Sequence, residues 1–88
     1  MQLEYIWIIQ NSENSNLIAC FLNKNDAEKY IQDNHIKCML TQYPVNISVY
    51  DWVISNDYWT PKIEPQKSAA FKANFSSAYL EHDHYNQD

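Results

Sequence analysis

The densest group of metal-capable side chains is Glu81-His82-Asp83-His84. Imidazole nitrogens and carboxylate oxygens are ligands that zinc and its neighbours accept. Two histidines at i and i+2 share a face only in extended chain, where Glu81 or Asp88 would add oxygen. No second ligand cluster closes a tetrahedral site, so the group reads as a polar tail and no metal or cofactor is assigned. His35 and Cys38 stand at H-x-x-C spacing, and Cys20 is the sole other thiol. A Cys–His nucleophile also needs an orienting group and an oxyanion hole. Nothing in the sequence frames either, and no catalytic residue is assigned. Asp51 lies within an apolar run. If buried it needs a donor or a raised pKa; the alternative, which we adopt, is a residue facing water on an edge strand.

The strongest chemical signal is aromatic. Tyr50, Trp52, Tyr58 and Trp59 cluster in one stretch, with Tyr5 and Trp7 on the predicted neighbouring strand and Phe71, Phe75 and Tyr79 downstream. Such rings fill cores with their polar tips reaching water or a partner, and they also dominate binding hot spots. The candidate partner-binding set is therefore Tyr50, Trp52, Asp57, Tyr58, Trp59, Phe71, Phe75 and Tyr79.

The elements that must position these groups belong to one small domain. The chain has 88 residues, enough to bury roughly 60% of its unfolded surface. It is 45% hydrophobic and 15% aromatic, which argues against disorder. Its net charge is −5, from eleven acids against six lysines, with no arginine. Nucleic-acid affinity comes mainly from neutralising phosphates, so direct nucleic-acid binding is not expected and a partner with a basic surface is. Glycine is absent, which excludes a Gly-rich phosphate loop. Turns must instead draw on the ten asparagines, because asparagine tolerates positive φ. The start Met1-Gln2-Leu3-Glu4 lacks a basic segment ahead of an apolar one, and no apolar run approaches the roughly 20 residues that span a bilayer. A reducing, cytoplasmic setting without a membrane is the expectation.

Leu3 to Gln10 (LEYIWIIQ) reads as a central strand, apolar on both faces. The polar run Asn11 to Asn16 is a loop, and Leu17 to Leu22 (LIACFL) completes a hairpin. Asn23 or Asn25 caps a helix whose stripe is Ala27, Tyr30 and Ile31. From His35 to Pro44 the pattern is ambiguous: Ile36, Met39 and Leu40 either extend the helix or pack in a loop. Val45 to Ser55 alternates as a third strand, with a phase change at Tyr50-Asp51-Trp52 that marks a bulge or cover on both faces. A right-handed crossover then predicts an α+β fold, a ββαβ unit with a three-stranded sheet of order 2-1-3. Phe71, Phe75, Ala78 and Tyr79 fall on one helical face of Ser68 to Leu80. The predicted organisation is a ββαβ domain over 1–61, a linker over 62–67, a C-terminal amphipathic helix over 68–80 and a frayed polar tail over 81–88. One helix cannot cover both faces of the sheet, so the second face awaits the C-terminal segment, another subunit or water.

Tyr5-Ile6-Trp7, the capped Asn23 to Ile31 helix, Ile47-Ser48-Val49-Tyr50 and Asp57-Tyr58-Trp59-Thr60 resemble a group of small bacterial and phage domains of unknown function. That group carries a Y-x-W strand, an E-A-E-like helix, an I-x-x-Y strand and a closing D-x-W-T. The resemblance covers Tyr5 to about Thr60, implies the same ββαβ fold, and brings no catalytic residue.

The functional expectation is a small acidic non-enzymatic protein that binds another protein, such as an anti-defence (anti-CRISPR) or immunity-type inhibitor from a phage or mobile element. The alternatives are a self-associating module, which would be a homodimer, and a weak metal or small-ligand binder using His82 and His84.

Overall fold

The computed structural model describes residues 4–86. Leu3 at the start of the predicted first strand and Asp88 as an oxygen donor lie outside the described residues. Four strands form one sheet of order β2-β1-β3-β4, and every neighbouring pair is antiparallel. The strands are β1 (Tyr5–Asn11), β2 (Leu17–Phe21), β3 (Cys38–Pro44) and β4 (His82–Tyr85). Helix α1 (Lys24–Asn34) joins β2 to β3. Between β3 and β4 come α2 (Val49–Ser55), a 3₁₀ turn (Glu64–Lys67), α3 (Ala69–Ala73) and a second 3₁₀ turn (Ser77–Tyr79).

The β1–β2 loop closes without glycine. Asn11 Oδ1 accepts from the Glu13 N–H at 2.8 Å, and Asn14 Oδ1 accepts from the Asn16 N–H at 3.0 Å. These are Asx turns, in which a side-chain oxygen replaces a backbone acceptor. The positive-φ positions are Ser15, His35, Asn46 and Asp57. Asparagine thus supports the turns here more through its side chain than by occupying the left-handed region itself.

Helix α1 starts where Asn23 caps it. The side chain accepts from the Asp26 N–H at 2.9 Å and donates back to the Asp26 carboxylate at 2.8 Å, so a donor at the helix start is satisfied. His35 ends the helix in the left-handed region, at φ 52°. Ala27 and Ile31 are fully buried. Strand register places Trp7 and Ile9 beside Phe21 and Ala19 on β2, and beside Gln42 and Leu40 on β3. This is the face that α1 covers: Trp7, Ile9, Ala27, Ile31, Cys38 and Leu40 form the main core. At roughly 1.5–3 kcal/mol for each large aliphatic side chain buried, these residues are the main source of stability in so small a chain.

The expectation of a three-stranded sheet with a C-terminal helix is overturned in four places. The third strand is Cys38–Pro44, drawn from the ambiguous stretch, because alternation at Cys38, Leu40 and Gln42 matches the α1 face while Met39, Thr41 and Tyr43 point away. The segment Val45 to Ser55 is mostly helix α2. Asn46 turns the chain at φ 67°, Ser48 Oγ accepts from the Asp51 N–H at 3.0 Å, and Tyr50 and Val53 bury one face. The apparent phase change was a helical period, and the cap with its buried face overrides β-branched propensity. Ser68 to Leu80 is broken at Asn74, whose amide donates back to the Ala70 carbonyl at 2.8 Å, and Ser76 caps the following 3₁₀ turn. Short polar side chains that bond the backbone end helices. Finally, His82–Tyr85 pairs with β3 as a fourth strand, with Asp83 held by Lys24 of α1 at 2.9 Å.

Among the described residues no helix is long and apolar enough to cross a membrane.

Candidate functional site

The segment from Ser48 to Leu80 gathers the aromatic residues singled out in the sequence. Tyr50 is its hub. The ring is only 4% exposed, and its hydroxyl donates to the Gln66 carbonyl at 2.9 Å. Trp59, Phe71 and Phe75 meet Tyr50 edge-on, with centroids at 5.8, 6.4 and 5.4 Å. Edge-to-face contact sets the positive rim of one ring against the negative face of another. Lys72 Nζ lies 5.3 Å from the Tyr50 centroid, within reach of a cation–π attraction.

A second line of rings runs outward from this hub. Phe75 stacks on Tyr79 at 6.1 Å, and Tyr79 stacks on Tyr58 at 6.4 Å, within 5° of parallel. Tyr58 meets Trp52 at 5.6 Å. The Trp52 indole Nε1–H then donates to the Tyr5 hydroxyl of β1 at 3.2 Å. The chain of rings therefore ends on the sheet. Tyr58 is 56% and Tyr79 43% exposed, while Trp52, Trp59, Phe71 and Phe75 are half-buried.

Where the ring line meets the sheet there is a cleft of about 350 Å³ lined by Tyr5, Gln42, Trp52, Tyr58, Tyr79, Leu80 and Glu81. Gln42 and Glu81 come together because the Gln42 N–H donates to the Glu81 carbonyl at 3.0 Å, extending the β3–β4 ladder. Gln42 escaped sequence reasoning, and Glu81 was singled out there only as a possible metal ligand. Gln42 sits in the stretch left open between helix and loop and Glu81 in the polar tail, and only strand pairing brings them opposite one another.

The other candidates fall elsewhere. Asp57 is exposed in the turn after α2, at φ 58°, and is not part of the cleft lining. Asp51 is exposed in the first turn of α2, where a carboxylate favours the helix dipole. Trp7 belongs to the core, with Lys24 Nζ 5.3 Å from its ring. His82 and His84 share the extended strand β4, their rings 5.2 Å apart, and His82 Nδ1 bonds the Leu80 carbonyl at 2.8 Å. Among the described residues no group of three or more His, Cys, Asp or Glu converges on a metal-sized site. Cys38 is buried and Cys20 exposed, both as free thiols; burial pushes the Cys38 thiol pKa up, which disfavours the reactive thiolate.

The face opposite α1 remains partly open. Ile6, Ile8 and Tyr43 are half-buried there, and with Leu17 and Pro44 they line a shallow hollow of about 340 Å³. Leu17 is 70% exposed.

No curated protein matches the chain, and no solved structure does. A family model does match, over residues 6–88, which takes in the aromatic segment and β4 as well as the stretch to Thr60 that carried the resemblance. The chain belongs to that family, described as Domain of unknown function (DUF7710).

Proposed function

We propose that this domain is a non-enzymatic binding module that recognises another protein through the aromatic segment between Ser48 and Leu80. The observation that carries this reading is the interlocked ring line Phe75–Tyr79–Tyr58–Trp52, whose middle pair is exposed. Rings fixed against one another lose little side-chain freedom when a partner docks, so their contact area converts efficiently into affinity. The net charge of −5 with no arginine favours a partner with a basic surface. An inhibitor of the anti-defence or immunity type, carried by a phage or mobile element, is a setting such a small acidic binder suits.

Affinity capture with the intact chain and with a Tyr58→Ser, Tyr79→Ser variant tests this. The expected result is a protein recovered by the parent chain and lost by the variant, at unchanged far-ultraviolet circular dichroism. Identical recovery by both would remove the reading.

A second reading is self-association. Strand β2 lies at a sheet edge, carries no charged residue, and leaves Leu17 exposed beside the hollow. Charge or proline often guards an edge strand; β2 has neither, and its one irregularity is the register shift against β1 between Ile9 and Gln10. A concentration-dependent dimer in sedimentation, abolished by Leu17→Lys, would support it, and a strict monomer at high concentration would dismiss it.

A further inference from the structure

We infer that the cleft between the sheet end and the Tyr58–Tyr79 pair binds an alkylammonium group, the lysine side chain of a basic partner protein. The inference rests on the protein-binding reading above and names what the site takes.

The cleft has the chemistry of a cation site on several counts. Its lining includes the aromatic residues Tyr5, Trp52, Tyr58 and Tyr79, whose rings attract a cation and whose tyrosine hydroxyls can accept from an ammonium. Glu81 is the acidic residue of the lining and Gln42 its amide, and among the described residues no lysine or histidine lines the cleft. The indole N–H of Trp52, a donor that would repel a cation, is already turned onto the Tyr5 hydroxyl at 3.2 Å. A volume of about 350 Å³ admits a flexible butylammonium chain with room for water.

The molecule uses the same interaction twice within itself. Lys24 lies over Trp7 and Lys72 over Tyr50, each at 5.3 Å. Among the described residues no such cation sits over the rings of Trp52, Tyr58 or Tyr79. The other lysine ammonium groups seen in ion pairs face Asp33, Glu13 and Glu64, not Glu81. With a net charge of −5, the surroundings favour an incoming positive group over a neutral one. An ammonium is the cation that the molecule itself sets over its rings, at Lys24 and Lys72, and its compact charge on a flexible stem can reach into a cleft of this size.

The test is titration of the full-length chain with a short oligolysine peptide, followed by the indole N–H resonance of Trp52, which Trp52→Phe identifies. An uncharged norleucine peptide and sodium chloride at matched ionic strength serve as controls. The expected result is a saturable shift of the Trp52 signal with oligolysine alone. Glu81→Gln should then weaken binding by about 5- to 10-fold, in line with loss of one close charge, whereas Glu13→Gln, which removes the same charge from the distant hairpin loop, should change it less than about 2-fold. Equal weakening by both substitutions would reduce the effect to general electrostatics and overturn the inference, as would an unmoved Trp52 signal. If Trp52 stays still while Tyr58→Ser, Tyr79→Ser still abolishes partner capture, the cation site falls and the protein-binding reading stands. A saturable Trp52 shift with unchanged capture removes the protein-binding reading and leaves an ammonium site.

Discussion

The sheet with α1 and the segment from Ser48 to Leu80 are closed by different materials. Ile9, Ile31 and Leu40 close the first, each with no exposed surface. Rings dominate the second around the buried Val53 and Leu80, at centroid distances between 5.2 and 6.4 Å, and Tyr58 and Tyr79 stay open to water. Aliphatic side chains interdigitate and exclude solvent, so their whole value is spent on stability. Rings that meet edge-on or offset hold one another while leaving faces and hydroxyls available. One half therefore holds the fold, and the other keeps an organised surface.

The comparison can be broken most directly in the core. Ile31→Ala should cost about 2–5 kcal/mol, as buried isoleucine truncations do, measured by urea denaturation. A loss below about 1 kcal/mol would mean that the aliphatic half does not dominate stability. Next in size is Thr41, which is fully buried with a hydroxyl that has no hydrogen-bond partner among the described residues. Leaving such a group dry costs free energy that a methyl group of similar shape does not. Thr41→Val should thus gain about 1 kcal/mol, and a clear loss in the same denaturation assay would reveal a hidden partner, such as a bound water.

On the aromatic side, Tyr58→Ala should lower stability by about 1 kcal/mol or less, because the ring is more than half exposed and loses only its ring contacts. A loss comparable with that of Ile31→Ala would make Tyr58 part of the core and erase the distinction between the halves.

The smallest expected effect is an alkaline softening where β4 meets α1. The Lys24 ammonium is held above its ordinary value by its hydrogen bond to Asp83. Burial raises the Tyr85 phenol, with Glu28 and Asp83 adding to it, and burial raises Cys38, the cross-strand partner of Tyr85. Each group holds its proton more tightly folded than unfolded. Its contribution is therefore complete below the ordinary value and is lost as the pH rises through the folded one. The window opens above the ordinary cysteine value of 9.0 and passes those of tyrosine at 10.0 and lysine at 10.5. The urea midpoint should fall as the pH rises from 9.0 through and beyond 10.5, and an unchanged midpoint would contradict this.

How much was legible can be judged from particular elements. The hairpin was readable because β1 and β2 are short apolar runs around a purely polar loop, and α1 because the Asn23 cap agrees with Ala27 and Ile31 of the predicted stripe, although Tyr30 of that stripe is exposed. Val49 to Ser55 misled because β-branched and aromatic residues read as strand, while Ser48, four residues after Pro44, silently supplied a helix cap. His82–Tyr85 was illegible: a polar strand has no apolar period, and its stability comes from the backbone ladder to β3 and the Lys24–Asp83 pair. The ring residues of the candidate surface could be named from their types alone, but not their order. That Tyr50 would be interior and Tyr58 exterior depended on Val49 to Ser55 being helical.

By itself the sequence determined the class of the fold, the hairpin and the capped helix, the acidic balance, and the aromatic residues as the feature to follow. These rest on local spacing and composition, which neighbouring residues suffice to set. Only the tertiary structure decided which strand is third, that a fourth exists, and that Tyr5, Gln42, Trp52, Tyr58 and Glu81 meet in one cleft. Those facts rest on pairings between residues far apart in the chain, where burial and ladder hydrogen bonds outweigh local preference.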